Sequence, residues 1–245
     1  MDTLTVRSFR KKLVYFIPVL DESELDNPRF VVQERRPLSY ATALVASNFV
    51  PDAISFRQRL IPHVSDFLAK LEGPLEVDEN VIWTELLACG ILYAYGPSMD
   101  ITENPANESP SLRRLNHWKM KSTVENLAMR LDLHHALDHL RLTIQRGNEN
   151  VEGTFVFNKA MFWLWLFNLS HHFSLVTEAP PTIRQDNSIR RACDLLRFIS
   201  KPARITRMLA EVDLCVLWSL ADRSMPGLGE WWCSAVSKAS FYSSI

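Results

Sequence analysis

The chain has 245 residues, 47% of them hydrophobic and 22% charged, with a formal net charge of −1. That length fits one large domain or two small ones, and the composition is globular. A near-neutral balance leaves no general attraction for phosphate backbones, and only 7 glycines, with no GxGxxG or GxxxxGK[ST], argue against a nucleotide-binding sheet protein.

Near the start, Arg10, Lys11 and Lys12 precede an apolar run over 13–20 that mimics a secretory leader. Pro18 interrupts the run, Asp21 and Glu22 follow it, and no small-residue cleavage site appears, so a leader is not expected. From there helical spacing dominates, without convincing strict alternation. A helix starting at Pro37 carries the stripe Leu38, Ala41, Val45 and Phe49. Val50-Pro51-Asp52 ends it and caps a second, whose apolar face is Leu60, Ile61, Val64, Phe67, Leu68 and Leu71. Gly73-Pro74 breaks that helix, and Asp78 caps a third with Val81, Ile82, Leu86 and Cys89 before Gly96-Pro97.

The stretch 98–110 has no periodicity and is expected to be a surface loop. Ser111 then caps a long helix with Leu115, Trp118, Val124, Leu127, Ala128 and Leu131 inward, and Leu133, Leu137, Leu140 and Ile144 continue the stripe to Gly147-Asn148. Arg113, Arg114, Lys119 and Lys121 form a solvated face. A polar loop reaches Gly153. The segment 155–177 is apolar nearly all round, as at the centre of a bundle, and its apolar run is too short for the roughly 20 residues of a membrane span. Pro180-Pro181 ends it. Asn187 or Ser188 caps a further helix with Ile189, Ala192, Leu196 and Ile199. Ile205, Met208, Leu209, Val212, Val216 and Leu220 mark another, stopped by Pro226-Gly227, and the tail after Trp231 ends abruptly. The pattern predicts an all-α fold: one helical-array domain over 1–245, with about eight or nine helices.

The side chains that could carry chemistry each have a plainer role. Cys89, Cys193, Cys215 and Cys233 form no C-x2–4-C pair, so no structural zinc site follows, and free buried thiols are expected. His135 and His139 stand at i and i+4 with Asp138 between them, the spacing of a helical zinc enzyme, but no third ligand is evident. His171 and His172 have Ser170 and Ser174 nearby but no strained G-x-S-x-G elbow, so they are read as satisfying buried backbone groups. A prenyl-chain cyclase would need clustered aspartates, and Asp132, Asp138 and Asp186 are scattered. The aromatic group Phe155, Phe157, Phe162, Trp163, Trp165 and Phe167 could line a ligand pocket but is more simply core.

Four segments, in order, resemble the regulatory middle homology region of fungal Zn2Cys6 transcription factors. Residues 15–20 and 37–47 are similar to the family's opening "F-x-P-V-L … P-L-L-x-x-A-I-x-A-x-A-S". Residues 118–134, ending Ala128-Met129-Arg130-Leu131-Asp132-Leu133-His134, resemble the "G-x-A-x-R-M-A-x-x-L-G-L-H" helix, with Asp132 where glycine is usual. The most specific block runs from Trp163 into Pro180-Pro181-Thr182-Ile183-Arg184-Gln185-Asp186. It resembles "W-W-x-L-F-x-x-D-x-x-x-S-L-x-x-G-R-P-P-x-I-x-x-D-D-I", with Glu178-Ala179 replacing Gly-Arg and a histidine near the usual aspartate. Its family-like positions are Trp163, His172, Ser174, Pro180, Pro181, Ile183 and Asp186. Residues 208–214 are similar to a following helix.

The resemblance implies a non-enzymatic nuclear regulator of RNA polymerase II transcription, in a metabolic or secondary-metabolite pathway. Family members bind DNA and zinc through an N-terminal six-cysteine cluster, and this chain contains neither that cluster nor a cofactor site of its own. DNA contact is therefore expected only through such a cluster, with a dimer partner, a coactivator or a small-molecule effector as further partners and no membrane. Two alternatives remain: a stand-alone helical protein that binds a partner or a small molecule, and a metalloenzyme using His135 and His139.

Overall fold

The computed structural model describes residues 28–50, 53–73, 78–95, 117–146, 151–177, 180–199 and 203–224. Among them are nine α-helices and no strand, so the fold is all-α. The opening segment 15–20, the leader-like run, the loop at 98–110, the Ser111 cap, Cys233 and the tail after Trp231 lie outside the described residues. The chain divides into two compact units, Met1–His134 and His135–Ile245.

The first unit holds α1 (Pro28–Glu34), α2 (Arg36–Ser47), α3 (Ile54–Lys70), α4 (Glu79–Tyr95) and α5 (His117–Arg130). Helix α4 packs against both α2 and α5, and α2 also meets α1 and α3. Burial on more than one side explains why α4 is enclosed continuously from Leu86 to Tyr93, where a single stripe through Val81, Ile82, Leu86 and Cys89 is predicted. Asp78 caps it as expected, its Oδ1 accepting the Asn80 N–H at 2.9 Å.

In α2, residues 41–47 are buried without a break, yet Phe49 is 45% exposed. The helix ends at Ser47, which throws Phe49 out of the predicted stripe and into the following turn. The predicted face of α3 is buried at Leu60, Val64, Phe67 and Leu68. Trp118 departs from expectation: it is 53% exposed and lies under the Lys121 ammonium, 5.2 Å from the ring centroid. A helical stripe tells which residues share a face, not which end of that face finds a partner.

The long helix predicted to run past Leu131 to Ile144 is broken. Helix α5 stops at Arg130, and Asp132 takes the left-handed conformation, with φ 57°. The Leu131 N–H still reaches the Leu127 carbonyl and the Asp132 N–H reaches the Met129 carbonyl, both at 3.1 Å. A helix closed by a left-handed residue favours glycine there, and aspartate is among the few others that tolerate it. Replacing Asp132→Gly is expected to stabilise the unit by about 0.5–1 kcal/mol, the relief of left-handed strain outweighing glycine's extra unfolded-state entropy. The denaturant midpoint of the full chain checks this, and a lowered midpoint would contradict it.

The second unit holds α6 (Ala136–Gln145), α7 (Phe155–Thr177), α8 (Asn187–Ile199) and α9 (Ala203–Ser224). Helix α7 packs on α6 and α9, and α8 packs on the same two, so the four form a closed ring of contacts. Gly153, with φ 79°, makes the turn into α7, where Thr154 Oγ1 accepts the Phe157 N–H at 3.3 Å and donates to the Val151 carbonyl at 2.7 Å. As predicted, α7 is buried over most of its circumference: Phe157, Phe162, Trp165 and Phe167 are 4% exposed or less. These rings are core, with Phe162 and Trp165 in edge-to-face contact at 5.3 Å.

Helix α8 buries Ile189, Ala192, Cys193 and Leu196, and α9 buries Ile205, Met208, Leu209, Val212 and Cys215. Across the outer edge of that pair, Arg197 binds Asp213. Farther along α9, Leu220 is 43% exposed, against the predicted inward stripe, and Leu214 and Leu217 are exposed as well. Cys89, Cys193 and Cys215 are free and buried. Burial pushes the thiols of Cys193 and Cys215 up to about 12, which keeps them protonated and unreactive. No described helix is long and apolar enough to cross a membrane.

Candidate functional site

The proline pair cannot extend α7, so the chain must turn off its end. The turn is then tied back to the helix. Ser170, 4% exposed, accepts the backbone N–H groups of Thr182 at 2.9 Å and Ile183 at 3.3 Å. Its Oγ also shares a hydrogen with Thr182 Oγ1 at 3.0 Å. One buried hydroxyl thus satisfies two donors that the proline turn would otherwise leave unpaired.

Three residues later the chain restarts as α8. Asp186 is the cap: its Oδ1 accepts the N–H of Ser188 at 2.9 Å and of Ile189 at 3.1 Å. Asn187 and Ser188, predicted as caps, are the first residues of the helix itself. A carboxylate at this place also complements the helix dipole.

The next residue of α7 after Ser170, His171, is buried at 5% exposure beside Phe167, with ring centroids 4.2 Å apart. Its Nδ1 lies 3.3 Å from Ser219 Oγ on α9, and that hydroxyl also donates to the Cys215 carbonyl at 2.9 Å. Its Nε2 is sealed from solvent with no partner in hydrogen-bond geometry. Asn168 makes a second polar link across the core, its Nδ2 donating to the Met208 carbonyl at 3.3 Å.

Burial holds the His171 imidazole below its ordinary pKa, the Ile183 backbone pulls the other way, and the neighbouring His172 adds to the lowering. The unfolded chain therefore takes a proton near pH 6.5 while the folded one resists until lower pH, so stability falls as pH drops through that window. The urea midpoint of the native chain is expected to decline between pH 7.5 and pH 5.5. A His171→Gln chain should show a shallower decline over the same range. Equal slopes would show that this histidine contributes nothing to the pH dependence.

The predicted family-like positions fall along this corner. Trp163 is half-buried on α7, His172 is exposed, and Ser174 is half-buried. Ser174 and Pro181 face a cleft of about 140 Å³ whose other walls include His171, Arg184, Trp218 and Ser219. Pro180 is exposed and Ile183 half-buried. Ser170 and Ser219, which carry the hydrogen bonds, and Arg184 and Trp218, which face the cleft, are not among the predicted positions. Ser219 and Trp218 come from a helix some 40 residues further on, and helical spacing gives no sign of which residues there will face α7.

The predicted pair His135 and His139 is exposed, and a different set gathers instead. On the single turn after α5, the ligand atoms of Asp132, His134 and His135 lie within 4.8 Å of one another, and Asp132 Oδ1 is 3.5 Å from His134 Nε2. Asp132 and His135 are exposed and His134 is half-buried, so the cluster lies at the surface of the turn. The chain matches no family model, no curated protein and no solved structure.

Proposed function

We propose that this chain is the regulatory domain of a fungal zinc-cluster transcription regulator: a non-enzymatic helical module that acts in the nucleus on RNA polymerase II transcription of a metabolic or secondary-metabolite pathway. The observation that carries the proposal is how the most specific resembling block folds. Residues 163–189 are a helix, a proline turn pinned to it by Ser170, and a second helix capped by Asp186, so the family-like Pro180, Pro181 and Asp186 turn and cap one compact corner. Asp132 gives independent support, because the glycine position of the second resembling segment is a left-handed position here.

DNA and zinc are engaged by a six-cysteine cluster outside this chain, whose own charge of −1 offers little to a phosphate backbone. The protein partner, a second regulator subunit or a coactivator, has apolar surface available on α9 at Leu214, Leu217 and Leu220.

Tethering the 245 residues to an unrelated DNA-binding module upstream of a reporter tests the proposal. Reporter output is expected to shift severalfold from that of the module alone, upward for an activating domain and downward for a restraining one. A chain carrying Ser170→Ala, which loosens the corner, is expected to lose much of that shift. Reporter output equal to that of the bare module would overturn the assignment.

A further inference from the structure

The cleft in the second unit has the composition of a binding site. It opens where α7, the proline turn and α9 converge, so each of its walls is held by a different element. Arg184 stands on its rim and makes no ion pair among the described residues. No carboxylate among the described residues lines it, which leaves a net positive field. Ser174 and Ser219 add hydroxyls, and Pro181 and Trp218 add apolar surface. Behind these stands the buried imidazole of His171, whose Nε2 has no hydrogen-bond partner.

A buried polar atom left without a partner costs free energy that a core histidine would ordinarily avoid. The same His171 side chain lines a cleft that also holds a guanidinium with no ion pair among the described residues. We propose that this cleft binds a small carboxylic acid. The carboxylate meets the planar fork of Arg184, which matches it in a bidentate manner. The apolar body of the acid rests between Pro181 and Trp218, and the serine hydroxyls and His171 complete the polar wall. At about 140 Å³ the space suits a body of benzene size, since a closed cavity of about 150 Å³ accepts benzene. It is too small for a drug-sized ligand or a nucleotide. The site does not depend on the family assignment, and either could fail without the other.

The test is calorimetric titration of the full chain with benzoate, alongside benzamide as the uncharged isostere and inorganic phosphate as a plain anion. Benzoate is expected to bind saturably, with benzamide weaker by about tenfold or more, as for the loss of a charge-assisted hydrogen bond. Arg184→Gln, an exposed position, should weaken benzoate by a similar factor while leaving the melting temperature unchanged, and Ser219→Ala should weaken it less. Absence of saturable benzoate binding would overturn the site. So would phosphate binding as tightly as benzoate, or benzoate binding undiminished in the Arg184→Gln chain.

Discussion

Replacing Phe162→Ala is expected to cost the second unit about 3–5 kcal/mol, the usual loss for truncating a fully buried phenylalanine. Phe162 is 0% exposed on α7, packed edge-on to Trp165, in the helix that meets both α6 and α9. The loss has two parts: the ring's transfer from water is forfeited, and the space it leaves cannot close while the ring of helices holds its shape. Against a total of about 5–15 kcal/mol for a natural domain, that removes a substantial share of the unit's stability and, at the low end of that range, nearly all of it. Urea denaturation followed by far-ultraviolet circular dichroism measures it. A loss below about 1 kcal/mol would mean that α7 is not enclosed as described.

The second large effect is expected at Ser170. Changing it to alanine removes almost no volume but leaves the N–H groups of Thr182 and Ile183 without their acceptor. Orphaning a buried donor costs about 1–3 kcal/mol, far more than the net worth of an average hydrogen bond. Thr182 itself is exposed, so water recovers part of its loss, and the Ile183 amide, half-buried, bears more. The expected result is a lowered midpoint together with faster hydrogen exchange at those two amides. Unchanged exchange at both would refute the pinning role, whatever the midpoint does. Because the same corner carries the proposed acid site, a Ser170→Ala chain should also bind benzoate more weakly, although Ser170 does not line the cleft.

Much of this fold was legible from residue order, and the limits have physical causes. Helix α7 could be bounded to its end residues because a segment apolar nearly all round is followed closely by a proline pair, and neither signal depends on distant packing. The buried cysteines and the Asp78 cap were readable for the same reason. The break at Asp132 was not, since the residue is aspartate and the helical stripe continues through it; only its φ of 57° reveals the turn. Trp118, Phe49 and Leu220 each fit a stripe and are nonetheless exposed, because a stripe outlasts the neighbour that covers it.

The candidate site divides along the same line. Pro180, Pro181 and Asp186 could be given their turning and capping roles locally, from chain stiffness and side-chain reach. The adjacent histidines could not be told apart, for His171 is buried and His172 exposed, a difference set by one helical step relative to α9. Ser219 and Trp218 join the site only through the return of the chain.

The central claim is that these helices regulate a DNA-binding transcription factor, and the transcript tests it most directly. Mapping its 5′ end and reading the in-frame codons ahead of Met1 is predicted to reveal C-x2-C-x6-C and the second half of a six-cysteine cluster. A transcript in which no such motif is joined to this chain would contradict the claim.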